Sequence, residues 1–153
     1  MLRGEKKKGF LAVVDTGVLA EYINESSINH EKVKVLLEGD NTLYITPITL
    51  SEVVYVSYRI YKASGLDNAN LYAIDFVNWL LSEFEVIEIN REIIIKAGEI
   101  KKRYGIALSD CYVVASADYL KVKALFKKEK EILQAMDKLR NEFNDLIIFI
   151  DEV

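Results

Sequence analysis

The stretch Phe10-Leu11-Ala12-Val13-Val14 is apolar at every position and stops abruptly at Asp15-Thr16-Gly17. A strand with one face in water alternates apolar and polar residues, whereas a continuous apolar run belongs to a strand covered on both sides. Covering both sides takes helices above and below, which restricts the chain to layered α/β folds. The same run delivers a carboxylate to the end of a hydrophobic rail. Asp15 there is either a helix cap or a metal ligand, and acids at equivalent places elsewhere decide between them.

The rest of the chain keeps the alternation. Val18–Ile23 and Glu31–Leu37 have helical spacing, the second closed by Gly39, and Leu43–Ile45 is a short strand followed by Thr46 and Pro47. "TLSE", Thr49 to Glu52, fits a capping box opening a helix to Lys62, which Gly65 breaks. Asn68 to Glu83 is helical, Glu85–Ile89 alternates like a strand, and Arg91 to Tyr104 is a charged amphipathic helix stopped by Gly105. Ser109 is placed to cap an apolar helix to about Tyr119. Lys123–Phe126 is a strand edge, Lys127 to Phe143 a charged helix and Leu146–Ile150 a last strand. The expectation is a three-layer α/β/α domain around a mostly parallel sheet, one domain over 1–153 with a flexible basic segment at 1–9.

Composition narrows the chemistry. One cysteine, Cys111, excludes an internal disulfide and is consistent with a reducing cytoplasm. One histidine, His30, leaves too few ligands for a His/Cys metal site and argues against a Ser-His-Asp triad. Ionic chemistry therefore falls to carboxylates. A net charge of −4 gives no global positive field for nucleic acid, so a polyanion would need a local basic patch. The longest apolar runs are too short to span a bilayer, and Asp15 interrupts the run behind the basic amino terminus, which argues against a signal peptide.

In an open parallel sheet, ligands collect beyond the carboxyl ends of the strands. Asp15, Glu52 and Asp110 all fall at such positions. Each has a plain reading, since acids in a helix's first turn gain about 0.3–1 kcal/mol from the helix dipole, and Glu52 could close the capping box with Thr49. Together they form a repulsive cluster that a hard divalent cation would relieve. Such an ion takes oxygen ligands and can activate water for attack on phosphorus.

The blocks "VVDTGVLAEY", "TPITLSEVVYV" and "GIALSDCYVVASADYLKVKALF" resemble the three sequence blocks of the PIN domain, the fold of many metal-dependent ribonucleases. The resemblance spans nearly the whole chain. It implies that Asp15, Glu52 and Asp110 form an acidic site for Mg²⁺ or Mn²⁺, with Thr16 and Ser109 as supporting polar residues. It also implies an RNA substrate and a homodimer. Small members resemble the toxins of VapBC toxin–antitoxin pairs, held inactive by an antitoxin protein, while others mature RNA.

The chain departs from the family pattern at the fourth acid. PIN proteins commonly carry T-x-D-x-D-F after the next strand, and here "KALF" continues as "KKEKEI". An ungapped match puts Lys128 and Lys130 on the aspartate positions, with Glu129 and Glu131 one residue away. Glu129 is the candidate replacement, and Lys127 and Lys128 could contact an RNA phosphate. The helix Lys127–Phe143 is also longer and more charged than a minimal toxin needs.

A noncatalytic PIN-like scaffold that binds RNA or protein is the standing alternative, on the strength of the missing aspartates. A receiver-type signalling domain would need an acidic pair at the first strand's end, and a dehalogenase-type phosphatase would need D-x-D where Gly17 stands. Tyr55, Tyr58 and Tyr61 recur at helical spacing and read as a packing or subunit face rather than an RNA-stacking platform.

Overall fold

The computed structural model describes residues 9–143 and 145–153. The basic segment expected at 1–9 therefore lies, Gly9 apart, outside the described residues. Strands β1 (Leu11–Val14), β2 (Thr42–Ile45), β3 (Glu85–Val86), β4 (Lys123–Phe126) and β5 (Ile147–Phe149) form one sheet in the order β3-β2-β1-β4-β5. All four pairings are parallel, with Val13 opposite Tyr44 on one side and Ala124 on the other.

Helices α1 (Thr16–Ile23), α2 (His30–Glu38), α3 (Pro47–Ala63) and α4 (Ala69–Glu83) pack on one face, and α5 (Arg91–Tyr104), α6 (Leu108–Leu120) and α7 (Lys130–Phe143) on the other. The continuous apolar strands explain this. Ala12 and Val14 join the core under α1 to α4 while Val13 joins the core under α5 to α7; Leu125 takes the first side and Ala124 and Phe126 the second. The expected α/β/α sandwich is the observed one, and its sheet is wholly parallel.

Local chemistry sets several boundaries. Asn90 caps α5 by accepting the Ile93 N–H at 2.9 Å, and Gly105 ends the helix at φ +67°, a conformation other residues adopt at a cost. Three expectations need correction. The cap of α3 is Thr46, whose hydroxyl accepts the Thr49 N–H at 3.0 Å, with Pro47 as the first helical residue. Thr49 therefore opens no capping box, and Glu52 lies in the second turn. Second, Ser109 does not cap α6, because Ala107 occupies the cap position and Ser109 is already helical. Third, Lys127 to Glu129 is a loop, and α7 begins at Lys130. The third strand-like stretch, Glu85–Ile89, is observed as a two-residue edge strand, Glu85–Val86, followed by Ile87 in the core.

Candidate metal centre

The strand order reverses between β1 and β4. Chain connections run outward to β2 and β3 on one side, then return to build β4 and β5 on the other, leaving a crevice beyond the carboxyl ends of β1 and β4. Asp15 stands at that end of β1, its backbone N–H bonded to the Leu125 carbonyl of β4 at 3.0 Å. It is buried, and its Oδ2 accepts the Gly17 N–H at 3.1 Å. It is thus a helix cap, and it does more than cap.

Asp15 and Asp110 share a side-chain hydrogen bond although 95 residues separate them in sequence. Burial, the Asp110 charge and that shared bond raise the Asp15 pKa well above the carboxylate range, against a smaller opposing effect of the Gly17 N–H. Burial likewise lifts Asp110 to about 6; its bond from Asp15 lowers it, and the negative charges of Glu129, Glu52 and Glu131 raise it. Both carboxyls are therefore harder to ionise than free ones, Asp15 through its burial and the Asp110 charge, Asp110 through its burial and the neighbouring glutamates.

Glu52 reaches the same crevice from α3. Its Oε1 accepts the Thr16 hydroxyl, and its Oε2 accepts from Ser109 at 3.1 Å and from Tyr55 at 3.3 Å. Three elements are joined at one carboxylate. Ser109, freed from capping, spends its hydroxyl on this bond. Glu129 arrives from the loop after β4. A Cβ placed on Gly17 would lie 3.0 Å from Glu129 Oε1 and 3.1 Å from Asp15 Oδ2, so the two carboxylates flank one point above the start of α1. The one-residue offset from the family pattern does not keep this glutamate out of the crevice.

Lys127 and Lys128 sit beside the crevice with acidic partners of their own. Lys127 Nζ lies 2.5 Å from Glu21 Oε1, and Lys128 Nζ lies 2.7 Å from Asp151 Oδ2. Two residues here escaped the sequence reading. Glu21 is a buried acid on α1, and the available signal was its position one turn after Gly17 on an otherwise apolar helix. Tyr55 was taken only as part of a stripe, and its hydroxyl touches Glu52.

A hard divalent ion suits this donor set, which consists of carboxylate and hydroxyl oxygens without nitrogen or sulfur. Among the described residues no three acids are already drawn around a single point. Magnesium-type ions do not require that, since they keep several waters and use one or two carboxylates. The raised pKa values of the two aspartates, with nearby acids among the causes for each, are the electrostatic signature of a place where added positive charge is favoured.

A family model for the PIN domain matches residues 12–139. The chain belongs to the PIN domain family. The match runs well into α7, so this helix is part of the PIN domain rather than an addition to it. Solved structures share the PIN fold at low identity. A toxin–antitoxin complex from Klebsiella pneumoniae aligns at 18% identity and TM-score 0.63, covering 93% of this chain and 99% of that one. VapBC-1 from nontypeable Haemophilus influenzae aligns at 20% and 0.60 with coverage of 93% and 99%. VapC20 from Mycobacterium tuberculosis, a toxin that cleaves the sarcin-ricin loop, aligns at 15% and 0.56 over 74% of this chain and 85% of that one. No curated protein matches the chain in sequence. Among the described residues no helix of this PIN domain is long and apolar enough to cross a membrane.

Proposed function

We propose that this PIN domain is a Mg²⁺- or Mn²⁺-dependent endoribonuclease, acting as the toxin of a toxin–antitoxin pair. The observation that carries the reading is the convergence of Asp15, Asp110, Glu52 and Glu129 on one crevice at the sheet's switch point. The toxin assignment draws support from the likeness to the Klebsiella and Haemophilus complexes, and RNA as substrate from the likeness to VapC20. With the reading go an antitoxin partner, a homodimer and a cytoplasmic setting.

Asp15, Asp110 and Glu52 would hold the ion, with Glu129 at the rim. Bound there, the ion supplies a Lewis acid for a phosphate oxygen and a lowered pKa for water. The chain's own residues do the rest. The Thr16 and Ser109 hydroxyls and Tyr55 fix the Glu52 carboxylate from three sides, which keeps its orientation from drifting. Asp15 and Asp110 would have to be ionised to hold a cation, and burial raises the pKa of both, so binding would strengthen as pH rises. Burial of Asp15 beneath β1 and β4 keeps bulk water from one side of the crevice.

The deciding experiment incubates purified protein with structured RNA in Mn²⁺, beside Asp15→Asn and Asp110→Asn. Cleavage by the parent, abolished by chelation and lowered by at least about a hundredfold in each variant, is the expected result. Cleavage that survives both substitutions removes these acids from the chemistry. RNA binding without cleavage by the parent makes the chain a scaffold.

A further inference from the structure

Glu129 is the least secured of the four acids. Among the described residues its side chain has no hydrogen bond or ion pair, and it is exposed. Something else must place it against Gly17. The Glu129 carbonyl accepts the Leu133 N–H at 3.0 Å at the start of α7, Lys128 Nζ lies over the Phe149 ring, and two ion pairs hold the rest of the loop. Lys128 pairs with Asp151, but both groups are about half exposed, and such pairs contribute little. Lys127 pairs with Glu21, whose side chain retains only 7% of its exposure. One oxygen of that carboxylate, Oε2, is buried with no partner among the described residues, which makes Lys127 its only compensating charge there.

The geometry connects this pair to the acids. Glu21 follows Gly17 by one turn on the same face of α1. Lys127 Cβ lies 3.2 Å from where a Cβ on Gly17 would sit, and Nζ ends on Glu21, so the lysine stem runs along α1 between the two. Glu129 Oε1 lies 3.0 Å from that same point above Gly17. The lysine charge is spent on Glu21 and not on the acidic cluster.

We infer that Lys127 and Glu21 are positioning residues: their ion pair, buried on the Glu21 side, ties the β4–α7 loop to α1 and thereby sets Glu129 as the fourth acid of the crevice. The inference rests on the metal-site reading above, and it replaces an RNA-phosphate role for Lys127. A buried charge stripped of its partner is strongly unfavourable, so single substitutions at either position confound folding with positioning. Exchanging both for apolar residues of similar size avoids this.

The test is direct titration of Mn²⁺, read by the loss of the free-ion paramagnetic resonance signal. Proteins compared are the full chain, Glu129→Gln, the double variant Glu21→Leu with Lys127→Met, and the triple variant, each checked by thermal melting. Glu129→Gln and the double variant should each weaken Mn²⁺ binding by about tenfold. The triple variant should be no weaker than Glu129→Gln alone, because a lost anchor has nothing left to position; a merely structural defect would multiply with it. Lys127→Arg should remain within about twofold of the parent, since the charge still reaches Glu21. Gly17→Ala crowds the same point without altering a charge: its methyl presses on Glu129, Asp15 and Lys127, and affinity should fall severalfold. Parent-like affinity in the double variant or in Gly17→Ala, or multiplying effects in the triple, overturns the inference. If the parent binds Mn²⁺ through Asp15 but ignores Glu129→Gln, only the positioning inference fails. If the parent binds no Mn²⁺, the metal reading fails with it.

Discussion

At the residue scale, Asp15 and Asp110 set the protein's response to pH. Both pKa values are raised above 3.8, Asp110 to about 6. The folded chain therefore binds more protons than the unfolded chain from about pH 4 upward. Under that sign, the metal-free protein is most stable toward mildly acidic pH and loses stability as pH rises through about 6. Asp15→Asn keeps an oxygen to cap α1 and removes the charge. In chelator at pH 8 it should raise the melting temperature, by about 2–4 °C per kcal/mol of relieved repulsion, and flatten the pH dependence. Melting curves at pH 5 and pH 8 check this; an unchanged or lower value at pH 8 would remove carboxylate repulsion from the account. Thr16 and Ser109 act one step outward. Replacing either with Ala removes one hydrogen bond from the Glu52 carboxylate, and RNA cleavage should drop by about 10–100-fold.

At the scale of elements, the helix starts divide into those that aim an acid and those that only hold the fold. Asn90 begins α5, which contributes none of the four acids. Asn90→Ala should cost about 1 kcal/mol in denaturant unfolding and leave Mn²⁺ affinity as it was. Thr46 begins α3, the helix that carries Glu52. Thr46→Ala should cost a similar amount, about 1 kcal/mol, and also weaken Mn²⁺ binding, because the first turn of α3 fixes the approach of Glu52. Equal effects of the two on Mn²⁺ affinity would show that the start of α3 carries no aim. The bounds of α5 were legible because Asn90 and Gly105 punctuate it. The start of α3 was misread: Thr49 to Glu52 satisfied a capping pattern, while Thr46-Pro47, an equally good start, lay three residues earlier. Ser109 was misread for a related reason. Its hydroxyl serves Glu52, a partner 57 residues away that no local pattern reveals.

At the scale of the whole molecule, the two cores and the crevice depend on one another through β1 and β4. Leu139 on α7 is fully buried under the β4–β5 side. Leu139→Ala should lower unfolding free energy by about 2–5 kcal/mol, measured by urea titration. A cation that binds only the folded chain adds stability by mass action, about 2.7 kcal/mol at a hundredfold excess over its dissociation constant. Mn²⁺ should accordingly raise the melting temperature of the parent and leave that of Asp110→Asn nearly unmoved. A parent insensitive to Mn²⁺ would count against an ion in the crevice.

Strand positions, layer count and the candidate acids Asp15, Glu52 and Asp110 were written in the sequence, although Glu52 lies one turn deeper in its helix than the sequence suggested. They follow from local signals, continuous apolar runs and the residues that interrupt them, which need no knowledge of what packs where. Strand order, the meeting of Asp15 with Asp110, the hydroxyls on Glu52 and the Lys127–Glu21 tie came only from the tertiary structure. Each of these joins residues far apart along the chain, and only the closing of the sheet brings them within hydrogen-bonding reach.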